Sequence, residues 1–397
     1  TQYNETSIDR SDIYRADPDS TDGPGYIGRY DIDVHQYSYS GPLGSDYSIA
    51  ISFQDETLSG ASPWHNMQNY EEVDGKNVLT DPDSLKVVMS GASIDERRQD
   101  ISTALTKYYD GGSFSGVIGL SSEDDYESTS FGVSTEREFH KKQTVVSAGI
   151  SMSNDELKYE GPVVSEAGVT AKVTKYNTVN PIGAIRNADD ELIGIQNGAT
   201  ESKESTSMFF SASRILSSNT IVLGGFSWAS KSGYLHDAYK AFDQRPDSRE
   251  MLTLDFSMRH YLKASKSAVH FDYRYYDDDW GVTSHTYEFA LYKKWNKMQV
   301  VPSARYYVQT SAIFYENVAE FARRQGQSHY SDDARLSDYG SISLGLKFIF
   351  KLKPVDWIVG MEYYTASQDF APSKSKRLEH PALMEFTRFT FGMDHRF

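Results

Sequence analysis

The residues of this chain best suited to act on a solute are charges placed at every second position along apolar-striped segments. Asp255 and Arg259 alternate with Leu254, Phe256 and Met258, while His270, Asp272 and Arg274 alternate with Val269, Phe271, Tyr273 and Tyr275. Glu288, Arg305, Lys347, Glu362, Arg388 and Asp394 follow the same spacing. A period of two sends neighbouring side chains to opposite faces of a strand. One face is then greasy and the other carries both signs of charge. Such a polar face can line an aqueous passage and set its selectivity. The same groups can instead pair between strands and simply fill an interior. With acids and bases interleaved, strong preference for one ion is not expected. Tyr261, Tyr276, Tyr292, Tyr307 and Tyr364 share this face, either as a track for an amphipathic solute or as filling.

A second group of candidates is acidic. Glu123-Asp124-Asp125 and Asp277-Asp278-Asp279 fall at expected strand ends, with Asp332-Asp333 and Asp81-Pro82-Asp83 in loops. Calcium takes 6–8 oxygen ligands, so these are candidate cation sites; the competing reading is a solvated acidic rim facing lipopolysaccharide-bound cations. Asp17–Gly23 approaches a calcium loop, with its third acid one place late. No other cofactor is implied. Gly-x-Ser-x-Gly, His-Glu-x-x-His and phosphate-loop patterns are missing, and the histidines are scattered, so an enzyme is not expected. The chain has no cysteine, which removes disulfides, thiolate metal sites and a Cys nucleophile. A net charge of −16, from 56 acidic and 40 basic residues, argues against nucleic acid.

The elements that position these residues are strands. Alternation recurs in Thr144–Ser153, Leu252–Leu262, Val269–Tyr276 and Ser341–Lys351, and no helical period persists. About fifteen clear segments of this kind are present, plus a weak one at Glu5–Arg15. Aromatics at 13% oppose disorder. The connections alternate between short turns, such as Asp110-Gly111-Gly112, and long excursions, above all Leu58–Arg97 and Asn154–Lys203. No run reaches the ~18 apolar residues of a membrane helix. Short turns at one end, long loops at the other and ~10-residue strands are the signature of a transmembrane β-barrel. No fixed period of the kind a propeller needs is found.

The expected fold is therefore all-β, a single antiparallel outer-membrane barrel over residues 1–397. Strand parity predicts sixteen strands, with fourteen and an N-terminal plug or tail as the second reading. Turns would be periplasmic; loops 58–97 and 154–203 would be extracellular or folded inward. Tyr306, Tyr363, Trp228, Trp295 and Trp357 read as interfacial girdles. The polar opening Thr1–Asp9 has neither basic n-region nor apolar h-region, so the chain is either not exported or has lost a signal peptide. The final alternating strand closes on Phe397, which resembles the signal read by the outer-membrane barrel-assembly machinery.

Short segments spread over most of the chain carry a further resemblance. They are Leu58–Trp64, Glu123–Tyr126, Arg245–Arg249, Tyr273–Gly281, and Arg305-Tyr306-Tyr307 with Ala312–Tyr315. Together they resemble an uncharacterised family of Gram-negative outer-membrane proteins catalogued as a domain of unknown function. The resemblance implies an outer-membrane barrel accompanied by small lipoproteins or by thioredoxin-like and flavin-transfer proteins; it implies no activity. The leading expectation is a channel for small solutes. A non-conducting scaffold that holds an envelope lipoprotein or other protein is the alternative, and an outer-membrane enzyme a distant third. A TonB-type receptor is disfavoured, because 397 residues cannot supply 22 strands and a large plug.

Overall fold

The computed structural model describes residues 2–4, 30–60, 62–73, 76–89, 93–159, 179, 181–187, 192–196, 198–352, 354–372 and 377–395. Its elements are almost all strands. In chain order they are β1 (Gln2–Asn4), β2 (Tyr30–Pro42), β3 (Tyr47–Gly60), β4 (Pro63–Val73), β5 (Lys76–Met89), β6 (Ser93–Tyr109), β7 (Gly112–Ser122), β8 (Tyr126–Phe139), β9 (Thr144–Lys158) and β10 (Ala184–Arg186). There follow β11 (Leu192–Ile195), β12 (Thr200–Ser217), β13 (Thr220–Gly233), β14 (Ser248–Leu262), β15 (Ser267–Asp278), β16 (Thr283–Trp295), β17 (Met298–Gln309), β18 (Tyr339–Leu352), β19 (Val355–Ser367) and β20 (Glu385–His395).

Sixteen of these form one antiparallel sheet in the order β1-β2-β3-β6-β7-β8-β9-β12-β13-β14-β15-β16-β17-β18-β19-β20. Two hairpins, β4–β5 and β10–β11, stand apart from it, inside the longest connections. Among the described residues no pairing joins β1 to β20. The first described strand is Gln2–Asn4; the expected strand Glu5–Arg15, the Asp17–Gly23 loop and Phe397 lie outside the described residues.

Several strands run past the limits that apolar alternation suggests. β6 starts at Ser93, β9 ends at Lys158 and β12 starts at Thr200, so both long loops are shorter than expected. Backbone pairing does not need an apolar stripe, and polar pairs such as Asp155↔Lys203 continue the ladder beyond it. β17 departs in the other direction, stopping at Gln309 instead of Ile313. There Ala312, Phe314 and Tyr315 leave the sheet and bury against Trp280, Val282 and Leu336. One helix of six residues, Ala319–Arg324, follows in the same connection.

The two faces of the sheet differ in chemistry. Leu254, Phe256, Leu344, Leu346, Phe389, Phe391 and Met393 are exposed on one, Phe389 at 75%. A soluble domain rarely leaves apolar side chains so continuously open. Register puts Trp228, Trp295, Tyr306, Trp357 and Tyr363 on this same face. On β16, Tyr287 and Trp295 both face this side eight residues apart, ~26 Å along the strand. That matches an apolar band ~25 Å tall between aromatic girdles. The opposite face is polar. Within the band, Pro302 of β17 has no amide to donate, and the β16–β17 ladder lacks the pairs between Ala290↔Ser303 and Lys293↔Val300.

Gly233 ends β13 at φ +100°, where a Cβ would come within 2.3 Å of the Ser202 carbonyl oxygen. Gly233→Ala is expected to cost about 1–3 kcal/mol. Gly224→Ala, whose methyl meets nothing within 4 Å, should change stability by less than ~0.5 kcal/mol. Thermal unfolding followed by circular dichroism in detergent compares the two.

Candidate functional site

Directly opposed residues in an antiparallel ladder share a face, and this brings the expected polar residues together. Asp255 stands opposite Arg274, and Arg259 opposite His270. Asp272 stands opposite Glu288, which in turn stands opposite Arg305. Glu362 lies opposite Arg388, and Lys347 opposite Val301 and Gly360. All ten therefore occupy the polar face. The acids and bases pair: Arg274 Nε–Asp255 at 2.7 Å, Arg259 Nη2–Asp272 at 2.8 Å, Arg305 Nε–Glu288 at 3.1 Å and Arg388 Nη2–Glu362 at 2.5 Å. Hydroxyls support them, with Ser257 donating to Asp272 and Ser343 to Glu362. The His270 ring packs 4.2 Å from that of Tyr292. Open ion pairs like these contribute only ~0–1 kcal/mol each. Their larger effect is to leave this half of the wall nearly neutral.

The other half of the polar face was not anticipated. Register aligns Ser38, Ser52, Ser102, Gly119, Ser130, Ser153 and Ser205 in one row across consecutive strands of the sheet. Rows on either side add Ser121 and Ser128, and Ser151 and Ser207; the last two share a hydrogen bond of 2.7 Å. The signal lay in the repeated Ser-x-Ser of 128/130, 151/153 and 205/207. It is easily passed over, because serine marks neither charge nor apolar stripe. At the edge of the serine rows Lys203 meets Asp155 at 3.0 Å, and Ser128 donates to Asp155 at 2.7 Å. A cleft of about 480 Å³ opens between Gln54, Arg98, Asp100, Ser121 and Ser130, with Gly119 among its lining.

The acidic candidates do not converge. Glu123 faces Arg98 at 3.5 Å, while the carbonyl of Asp125 accepts the Lys158 amide. Asp277 accepts from Thr283 Oγ1, and Asp279 from the Glu250 amide. Asp278 takes Arg249 at 2.5 Å, the Tyr276 hydroxyl at 2.7 Å and the Val282 amide at 2.9 Å. Among the described residues no three His, Asp or Glu side chains form a metal-sized cluster.

At the long-loop end the connections fold onto one another. Tyr159, Ile182, Ile195 and Tyr234 form one small core, and Ala319, Ala322 and Tyr330 another. The base of the β4–β5 hairpin joins distant loops. Trp64 O accepts from the Ala241 amide, Pro63 O from Lys240 Nζ, and Asp332 from the Asn66 amide at 2.8 Å. Asn317 bonds both Asn66 and Leu378. At the centre Arg245 pairs with fully buried Asp243 at 2.8 Å and with Asp333 at 2.9 Å. Ser331 also donates to Asp243, and Arg335 bridges Asp333 to Asp237.

Two adjacent carboxyls in this cap are tuned in opposite directions. Burial alone would raise Asp333, but Arg335, Arg245 and Lys240 outweigh it and hold it well below the usual carboxylate range. Asp332 is pushed up to about 7 by burial, with Asp243 and Asp333 adding to the rise against Lys240 and the Asn66 amide. Its Oδ1 is buried with no hydrogen-bond partner. Between pH ~4 and ~7 the folded cap keeps this proton while the unfolded chain has released it. The contribution of Asp332 is full below pH ~4 and lost as pH rises through 7. Amide exchange over Glu316–Asp338, corrected for intrinsic rates, should accelerate from pH 6 to pH 8, and Asp332→Asn should remove the acceleration.

Comparison with known proteins follows from this geometry. No functionally curated protein matches the sequence. Among solved structures, the FrpB iron transporter of Neisseria meningitidis aligns with a TM-score of 0.51 at 11% identity, over 100% of this chain and 60% of that one. The ferric enterobactin receptor PfeA of Pseudomonas aeruginosa aligns at 0.46 and 9% identity, over 92% and 56%. The siderophore receptor PirA of Acinetobacter baumannii aligns at 0.47 and 11%, over 85% and 50%. The chain thus spans little more than half the length of these proteins, and the likeness to FrpB is one of fold alone. Residues 2–384 match a family profile, and the chain belongs to that family, described as Protein of unknown function (DUF3570).

Proposed function

We propose that the sheet closes into a sixteen-stranded barrel in the Gram-negative outer membrane and passes small solutes along its polar face, under a cap of packed loops. The observation that carries this reading is the sorting of the sheet into two chemically different faces. Exposed apolar side chains and aromatic girdles occupy one face, and paired charges with serine rows the other. A lipid-facing charge near midplane costs ~2–4 kcal/mol, whereas a lumen tolerates it. Lipid chains and lipopolysaccharide are accordingly the partners of the apolar face.

Curling is supported by the loops. β3 and β18 are eleven places apart in the sheet order, ~53 Å in a flat sheet. Yet Asn66, six residues past β3, bonds Asp332, seven before β18. Even straight tethers of that length reach only ~45 Å together, and these are folded. Barrels of about sixteen strands are wide enough for an aqueous channel. The fold shared with an iron transporter agrees with a transport role at the coarse level.

Single-channel recording in a planar bilayer tests the reading. The intact protein should conduct weakly and with little ion preference. Replacing Pro63–Met89 by a short turn should raise conductance severalfold, because the hairpin base ties the cap together. Silence in both forms would leave the scaffold reading, in which the packed loops hold a lipoprotein or other envelope protein.

A further inference from the structure

The cleft beside Gly119 has a composition that the charged wall does not explain. Its floor is low because Gly119 has no side chain, and a Cβ there would meet Ser130 Oγ at 2.6 Å. Around it stand hydroxyls that both donate and accept, the Gln54 amide, already engaged by Gln36 and Glu56, and the Arg98–Asp100 pair. Ser121 lines the cleft too, with its Oγ turned inward, buried and without a hydrogen-bond partner. Ser130 makes only a long 3.4 Å bond to the Gly119 carbonyl. A buried hydroxyl left unpaired costs ~1–3 kcal/mol, and a change of χ1 rotamer would turn it into the cleft to meet an incoming hydroxyl. The volume, about 480 Å³, falls within the ~300–1,000 Å³ of small-ligand sites. Charge narrows the choice further. Arg98 is already shared by Asp100 at 3.0 Å and Glu123 at 3.5 Å, so an anion would meet a surplus of carboxylate.

We infer that this cleft binds an uncharged polyhydroxylated solute, a saccharide, and that the serine rows form the wall along which it travels. The inference rests on the passage reading above and names its solute class. The mixed donor and acceptor surface matches a sugar hydroxyl by hydroxyl. What sets this wall apart from the charged one is its run of serine hydroxyls, Ser52, Ser102, Ser121 and Ser130, around one cleft.

The test uses the full-length protein in detergent, titrated calorimetrically with maltotriose and, separately, with glucuronate. Maltotriose is expected to bind, and the double variant Ser121→Ala/Ser130→Ala to weaken it about tenfold. That variant removes only two oxygen atoms, and an unchanged thermal transition confirms that it folds. Ser341→Ala on the charged wall should leave affinity unchanged. Two results would overturn the inference: no maltotriose binding by protein that conducts ions, or glucuronate binding as tightly as maltotriose. Maltotriose binding by a protein that never conducts would uphold the site and sink the passage reading instead.

Discussion

Everything in this protein depends on the register of one antiparallel ladder. Side chains alternate between faces with a period of two, so a slip of one residue between neighbours would exchange the faces of a whole strand. Arg274 and Arg305 would then stand among Phe256 and Phe289, and the apolar stripe would face water. The penalty for misregistration grows with every strand added. Charge pairs such as Asp255–Arg274 and Glu362–Arg388 add little stability individually. Their value is that they exist in one register only. The serine rows reinforce this from the opposite side, since they are continuous only when six successive pairings are all correct.

That dependence explains what the sequence disclosed. Alternating apolar and charged residues are loud signals, so the central parts of β14 to β20 and the sorting of their two faces were legible in residue order alone. The quiet half of the polar face went unread because its residues are small and neutral, and only pairing shows that Ser52, Ser130 and Ser205 form a row. Strand ends were misjudged for a related reason. Asp155 and Lys203 pair as strand residues although neither marks a strand by type. The acidic runs had left two readings open, a shared cation and a solvated rim. Adjacency in sequence does not say where each carboxylate turns, and Asp277, Asp278 and Asp279 each hold a different group.

The cap follows different physics from the sheet. Among the described residues its loops build three small apolar cores beside a buried ionic cluster. Enclosing charges is expensive, and such a cluster holds only if every partner is present. Arg245 spans Asp243 and Asp333, and Ser331 and the Asp237 amide complete the coordination of Asp243. Loops from distant parts of the chain are thereby fixed to a single arrangement. A purely apolar cap could slide; one wired through paired charges is held in one arrangement.

The missing amide of Pro302 bears on how the sheet is put together. The β16–β17 hairpin has a tight turn, which loop-closure entropy favours as an early contact. Only three pairs, from Trp295↔Met298 to Lys293↔Val300, lie between that turn and the break in the ladder. On its other edge β17 pairs with β18 without interruption from Met298↔Phe350 to Gln309↔Tyr339, although their connection is long. The nearest neighbour in sequence is therefore the weaker template. β17 is gripped without a gap only by β18, the partner that lies across the long connection.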